Sequence, residues 1–274
     1  VKVWRKQRDF STITSGALLF QWRGWVVMLR SAMRELLSAL LPAALSLLPL
    51  SAAGAGLTEE IFVKEITTPE KLEYLLSLPK DYEADTEKKW PLIVFLHGAG
   101  ERGDDLQKVG VHGPPKRIRE GAELPFVIAS PQCPDGEWWT EQPVLKLIDH
   151  LEANFRVDPS RIYLSGLSMG GYGTWHFATL APHRFAAIAP VCGGGVPYRM
   201  REIPHLPVWA FHGAKDTVVV PDESARLVES LKKNGSKTVK FTVYPEAAHD
   251  SWTETYQNPE LYEWFLSHSL ARKN

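Results

Sequence analysis

The chain has 274 residues, a formal net charge of -1 at pH 7, and contents of 44% hydrophobic and 23% charged residues. These values are typical of globular proteins and exclude a disordered or fibrous chain. A near-neutral charge also argues against a nucleic-acid partner, because contacts to phosphates require a surplus of basic residues. The sequence carries no signal for an oligomeric state.

The first part of the chain has the pattern of a leader. Residues 1–27 are basic and aromatic and indicate no clear role. Residues 28–55 resemble a secretory signal peptide, with a basic start at Met28, an apolar run at 36–50 and small residues at the exit. That run is shorter than the roughly 20 residues of a membrane-spanning helix. We expect export to the periplasm or the medium, with no stable membrane anchor after cleavage near 53–57; an amphipathic helix or a retained anchor is the alternative.

The rest of the chain alternates between short strands and helices. Strands are predicted at 59–66, 71–78, 91–96, 125–129, 161–165, 185–191, 208–212 and 239–244, and helices at 143–155, 169–180, 221–233 and 259–269. Runs that are apolar throughout, such as 91–96, are typical of strands buried on both faces of a parallel sheet. The alternation predicts a mostly parallel sheet with helices on both faces, in a single domain over residues 56–274.

The strongest chemical motif is the segment 166–171, Gly-Leu-Ser-Met-Gly-Gly, which lies between a predicted strand and a predicted helix. A nucleophile elbow requires this context, because the turn is too sharp for side chains at the flanking positions and leaves the serine hydroxyl exposed. Without that context the motif is a weak signal, and a tight turn that needs only its glycines is the alternative. We predict Ser168 as a nucleophile.

A serine hydroxyl needs a base to become a good nucleophile. In the order serine, acid, histidine, the partners are Asp216 and His249, which each follow a later predicted strand. His249 would take the serine proton, and Asp216 would orient the imidazole. Asp222 and Glu223 are alternative acids, but they fall in the first turn of a predicted helix and are expected to interact with its dipole.

Other candidates for the acid and the base fit less well. Asp250 directly follows the predicted base, and its side chain cannot easily reach that ring. His97 and His212 end strands before a glycine and are predicted to shape loops through hydrogen bonds. His150 and His176 lie in predicted helices and are expected to be structural.

Acyl transfer also requires donors for an oxyanion. One is expected to be the backbone N–H of Met169, directly after the nucleophile, and the other comes from the loop at 97–103. We predict Ala99 as this second donor, with Gly98 and Gly100 as alternatives. A flexible glycine-rich turn is the structural alternative, and a phosphate-binding loop is disfavoured because Gly-Lys-Ser/Thr is missing.

Together these motifs resemble the α/β-hydrolase superfamily. More narrowly, they resemble secreted esterases and predicted peptidases near the feruloyl-esterase, polyhydroxybutyrate-depolymerase and prolyl-oligopeptidase-like groups. The residues that carry the resemblance are those at 96–103, 130–132, 166–171, 212–216 and 249–252. The resemblance extends over roughly residues 72–274 and implies the α/β-hydrolase fold.

The two cysteines, Cys133 and Cys192, follow predicted strands. Export would permit a disulfide. The resemblance implies that these strands are not neighbours in the sheet, so we expect no disulfide between them. Neither cysteine pairs with a histidine at metal-ligand spacing, and we expect no metal and no cofactor.

The segments between the motifs narrow the substrate only slightly. Many lipases of this fold insert a lid after the strand at 185–191, but only residues 192–207 precede the next strand. We therefore expect an open site without a lid domain. Trp138, Trp139 and Trp252 are predicted to line the substrate pocket, although large aromatic residues are more often part of a core.

The sequence thus predicts a secreted, metal-free serine carboxylesterase that acts on short-chain acyl or aryl esters, either small or linked to a polymer. An exported serine peptidase of the prolyl-oligopeptidase-like type is the main alternative, and the absence of a propeller or gating domain in this sequence counts against it. A hydrolase-fold binding protein without turnover is a further alternative, against which the complete Ser-His-Asp set argues.

Overall fold

The computed structural model describes residues 71–271, which belong to one compact unit. The segment at 1–27, the leader at 28–55 and the predicted strand at 59–66 lie outside these residues. Within the described part, none of the helices combines the length and the apolar character of a membrane-crossing segment.

A seven-stranded sheet runs through the described residues. Its strands in chain order are β1 (Tyr74–Ser77), β2 (Trp90–Leu96), β3 (Val127–Pro131), β4 (Val157–Leu167), β5 (Ala187–Val191), β6 (Val208–Gly213) and β7 (Val239–Tyr244). The order in space is β1-β3-β2-β4-β5-β6-β7. Only β1 is antiparallel to its neighbour, so the carboxyl ends of the other strands meet at one edge, where open α/β sheets bind ligands.

Helices and short turns connect these strands. The helices are α1 (Gly113–Arg119), α2 (Val144–Asn154), α3 (Met169–Leu180), α4 (Asp222–Lys233), α5 (Trp252–Gln257) and α6 (Pro259–Leu266). Short 3₁₀ turns lie at Ala99–Glu101, Leu106–Val111, Trp139–Glu141, Pro182–Arg184 and Pro197–Glu202.

The two faces of the sheet bury separate apolar clusters. Along β2, Leu92, Val94 and Leu96 belong to one cluster, and Ile93 and Phe95 belong to the other. All five side chains are fully buried, which explains why this strand is apolar throughout instead of alternating. Apolar residues of α2, α3 and α4 complete the first cluster, and those of α5 and α6 complete the second.

The predicted layered architecture is confirmed. The sheet is mostly parallel, and helices pack on both of its faces. The connection between β5 and β6, residues 192–207, contains only the 3₁₀ turn Pro197–Glu202, so no helical lid is inserted there.

Some predicted bounds differ from the observed ones. Strand β3 is Val127–Pro131 rather than 125–129, because β1 pairs with it as far as Pro131. Helices α1 and α5 have no counterpart among the predicted elements. Helix α1 begins Gly-Pro-Pro, which is typical of a turn but is tolerated in a first helical turn, and α5 is too short for a helical period to stand out.

Both cysteines are buried, and no disulfide joins them. Cys133 follows β3 and Cys192 follows β5, and β2 and β4 lie between these two strands. The expectation that their strands are not neighbours in the sheet is confirmed.

Candidate active site

Ser168 joins β4 to α3 in a backbone conformation with φ 51° and ψ -115°. A positive φ is uncommon for a residue with a side chain and stores strain in the turn. A Cβ atom on Gly166 would lie 2.4 Å from the carbonyl oxygen of Gly170, and one on Gly170 would lie 2.0 Å from that of Leu96. The close backbone approach therefore requires glycine at both positions, which is the geometry of a nucleophile elbow.

The structure brings Ser168, His249 and Asp216 together in a hydrogen-bonded chain. His249 Nε2 lies 2.9 Å from Ser168 Oγ, and His249 Nδ1 lies 2.7 Å from Asp216 Oδ2. Because an ionised carboxylate only accepts hydrogen bonds, His249 Nδ1–H donates to Asp216, which leaves Nε2 free to accept the serine proton. The Asp216 side chain is fully buried, and His249 is 20% exposed.

The backbone after β6 holds the Asp216 carboxylate in place. Asp216 Oδ1 accepts hydrogen bonds from the N–H groups of Val218 and Val219 at 2.9 and 3.0 Å. Its other oxygen therefore faces His249. The alternative acids Asp222 and Glu223 lie in the first turn of α4, as predicted.

His97 shapes the loop after β2 through hydrogen bonds, as predicted. Its Nε2 accepts the Cys133 N–H at 3.0 Å, so its Nδ1–H donates to Gly98 O at 2.6 Å. Burial lowers the pKa of His97 to about 4, and the ring is therefore neutral near pH 7. His150 and His176 lie in α2 and α3, as predicted.

The two predicted oxyanion donors lie on backbone segments beside Ser168. Met169 is the first residue of α3, and Ala99 begins the 3₁₀ turn after β2. The Gly98 N–H donates to Glu101 Oε2 at 2.9 Å, which removes Gly98 as a free donor. A Cβ atom on Gly98 would lie 3.7 Å from Ser168 Cβ, so this loop passes directly beside the nucleophile.

The adjacent tryptophans Trp138 and Trp139 have opposite environments. Trp139 is fully buried, and its Nε1–H donates to His97 O at 2.8 Å. The prediction that Trp139 lines the pocket is therefore wrong, because the side chain has no surface to offer a substrate. Trp138 is 48% exposed and meets the edge of Tyr172 at a ring distance of 6.4 Å. Tyr172 lies in the first turn of α3, so this pair stands next to the elbow.

Trp252, at the start of α5, packs against the imidazole of His249. The ring centroids are 5.3 Å apart and nearly perpendicular, at 86°. His112 packs against the same indole, also at 5.3 Å. Trp252 therefore lies beside the predicted base.

Sequence reasoning missed Glu101, which lies inside the loop motif at 97–103. Its side chain is largely buried, and its carboxylate holds the N–H of Gly98. A buried charge needs such a partner. The signal available in the sequence was an acidic residue three positions after a glycine, at the start of a turn.

Cys192 also contacts the site, and the sequence did not indicate it. Its sulfur, an Asp216 oxygen and a His249 nitrogen all lie within 4.8 Å of one another, which is a possible metal-ligand set. A metal there would have to replace the hydrogen bond from His249 to Asp216. It would also have to deprotonate a thiol whose pKa is raised to about 12 by burial. The residues therefore fit a hydrogen-bonded triad better than a metal site.

Comparisons with known proteins agree with the fold. The profile of the Dienelactone hydrolase family matches residues 140–262. A bifunctional acetylxylan esterase/xylanase from Neocallimastix patriciarum is 30% identical over 181 residues, which are 64% of this chain and 26% of that protein. A probable feruloyl esterase C from Aspergillus terreus is 24% identical over 59% of this chain and 61% of its own length.

Among solved structures, that of a thermostable esterase has a TM-score of 0.64 and 36% sequence identity. The similarity covers 76% of this chain and 62% of that one. The chain thus spans between about a quarter and three-fifths of the length of these relatives. The resemblance inferred from the strand-end motifs is confirmed at the level of the fold.

Proposed function

We propose that this chain, which has the α/β-hydrolase fold, is a serine carboxylesterase with Ser168 as nucleophile, His249 as base and Asp216 as the orienting acid. The observation that carries the proposal is the pair of contacts at 2.9 and 2.7 Å that links these side chains on a strained elbow. Strained turns and linked polar side chains of this kind are typical of nucleophilic catalysis.

The proposed reaction has two halves. Ser168 Oγ attacks the ester carbonyl while His249 Nε2 takes its proton, and the N–H groups of Met169 and Ala99 hold the resulting oxyanion. When the tetrahedral intermediate collapses, the bond to the alcohol breaks, and His249 returns the proton to that alcohol. Water then attacks the acyl-enzyme with the same base, and the acid leaves Ser168 free.

We propose short-chain acyl or aryl esters, free or attached to a polymer, as substrates. The absence of a helical lid between β5 and β6 supports an open site. The exposed Trp138 beside Tyr172 offers an aromatic surface close to the elbow. Relatives named acetylxylan esterase and feruloyl esterase support the acyl and aryl choices, respectively.

The proposal is tested with purified Ser168→Ala and p-nitrophenyl acetate. We expect a loss of kcat/KM by several orders of magnitude, because no other group supplies the nucleophile. Ser267→Ala, in the C-terminal cap of α6, is the matched control and should retain full activity. An equally active Ser168→Ala protein refutes the proposal. Peptide cleavage with no ester turnover would assign the site to a peptidase.

We further propose that residues 28–55 direct export and that residues 56–274 form the catalytic domain. The basic start, the apolar run and the small residues at the exit support this. Expression of the full chain in a bacterial host, followed by fractionation and N-terminal sequencing, tests it. The expected product is outside the cytoplasm and begins near residues 53–57. A cytoplasmic product with an intact N-terminus contradicts the proposal.

A further inference from the structure

A second histidine, His212 near the end of β6, lies against the Asp216 carboxylate. Its Nε2 is 3.2 Å from Asp216 Oδ2 and 2.8 Å from the carbonyl oxygen of Val219. Both side chains are fully buried. The Asp216 carboxylate therefore meets one histidine that reaches Ser168 and another that does not.

The surroundings of the His212 ring assign its protons. Two oxygen acceptors face Nε2, and a lone pair there would repel both of them, so Nε2 carries a proton. On the other side, Nδ1 lies 2.8 Å from Ser224 Oγ. The Ser224 O–H donates to Gly193 O at 2.8 Å, so the proton on Nε2 is assigned from the two acceptors that face it.

His212 ties together the parts of the loop that hold Asp216. It donates to Val219 O, while the Val219 N–H donates to Asp216 Oδ1. The ring therefore restrains the carboxylate directly and also through the loop. With the Val218 N–H and His249 as further donors, the carboxylate has a single orientation in which Oδ2 faces His249 Nδ1.

We propose that His212 is a positioning residue, which fixes the Asp216 carboxylate so that one oxygen remains aligned with His249. His212 does not reach Ser168 and takes no proton in the reaction. This inference rests on the proposed esterase function. It assigns a role in the chemistry to a histidine for which the sequence predicts only a part in shaping a loop.

The other titratable groups near Asp216 are not expected to obscure a pH profile. Burial raises the pKa of the Cys192 thiol to about 12, and burial also raises the pKa of the Tyr172 hydroxyl. Both groups are neutral over the range in which a histidine titrates. Among the charged groups on nearby loops, Lys215 pairs with Glu246 and Asp250 follows His249 directly.

The experiment compares His212→Leu with His212→Gln. Leucine removes the donor, whereas the glutamine amide reaches about as far as imidazole Nε2 and can still donate to Asp216. We expect His212→Leu to lower kcat by about 10- to 100-fold with little change in KM, the factor that one hydrogen bond to a charged group contributes. His212→Gln should recover most of that loss. His150→Gln, on the exposed side of α2, is the control and should behave as wild type.

The pH profile of kcat/KM separates positioning from a merely structural role. Without the His212 donor, the negative charge of Asp216 acts more strongly on His249. The acid limb of the profile should then move to higher pH in His212→Leu and return in His212→Gln. Thermal unfolding of both variants checks that they are folded.

The proposal is overturned by an unchanged kcat and pH profile in a folded His212→Leu protein, or by equal impairment of the leucine and glutamine variants. If His212→Leu does not fold, Ser224→Ala and ¹⁵N-histidine NMR of the wild type replace it. A ring that carries its proton on Nδ1 instead of Nε2 also refutes the assignment. Activity that survives in Ser168→Ala would instead refute the proposed esterase function, and not the role of His212 alone.

Discussion

The proposed triad and the aromatic residues around it differ in how their side chains are held. Ser168, His249 and Asp216 lie at strand ends, and short hydrogen bonds fix each side chain. Trp138 lies on a surface loop, with about half of its side chain exposed. The difference separates the proposed chemistry, which depends on a rigid backbone, from the proposed substrate selection, which depends on side chains that have room to move. The predictions below test this separation, from the largest expected effect to the smallest.

Asp216→Asn should lower kcat by about 10⁴-fold, because an amide favours the wrong tautomer of the histidine base. Stopped-flow or steady-state assays with p-nitrophenyl acetate measure the effect. Asp222→Asn, in the first turn of α4, is the matched control and should leave kcat unchanged. Equal kcat values of the two variants would show that turnover does not depend on the Asp216 carboxylate.

Trp139→Ala should destabilise the protein by about 3–5 kcal/mol, the usual cost of emptying a fully buried aromatic site. The side chain is fully buried, and its loss also removes the donor to His97 O. Urea unfolding followed by tryptophan fluorescence measures the change. A loss below about 1 kcal/mol would indicate that Trp139 is not part of the core.

The buried neutral His97 makes stability depend on pH. Its pKa in the folded protein is about 4, below the value of about 6.5 expected for the unfolded chain. The unfolded state therefore binds more protons between these values, and the free energy of unfolding falls as the pH drops through that window, by up to about 3 kcal/mol.

The comparison that isolates this effect is wild type against His97→Gln, by urea unfolding at several pH values across the window. The glutamine cannot titrate, although its carbonyl can still accept the Cys133 N–H. The wild-type free energy of unfolding should fall more steeply with decreasing pH than that of the variant. Parallel curves would show that His97 does not titrate in this way.

Trp138→Ala should have the smallest effect on stability, within about 0.5 kcal/mol, because the side chain is half exposed. We expect KM to rise for aryl esters and to change little for acetyl esters, since only the former use the aromatic surface. Michaelis–Menten kinetics with both substrates measure the contrast. An equal change in KM for the two esters would show that Trp138 does not make the proposed contact with aryl groups.

The order of elements was largely predictable because it depends on local patterns. The bounds of α3 and β7 match the predicted ranges 169–180 and 239–244. The two helices without a predicted counterpart, α1 and α5, are short and lack a clear apolar period, and α1 starts with two prolines. Their stability comes from packing against the sheet rather than from their own sequence.

The sequence by itself predicted that Ser168, Asp216 and His249 come together, because each one lies in the segment just after a strand, and the strands of a parallel sheet end at one edge. Glycine spacing around Ser168 is likewise a local requirement. Only the tertiary structure decided that Trp139 is buried while Trp138 is exposed. The physical reason is that a side chain's neighbours are set by packing between distant segments, which short motifs do not record.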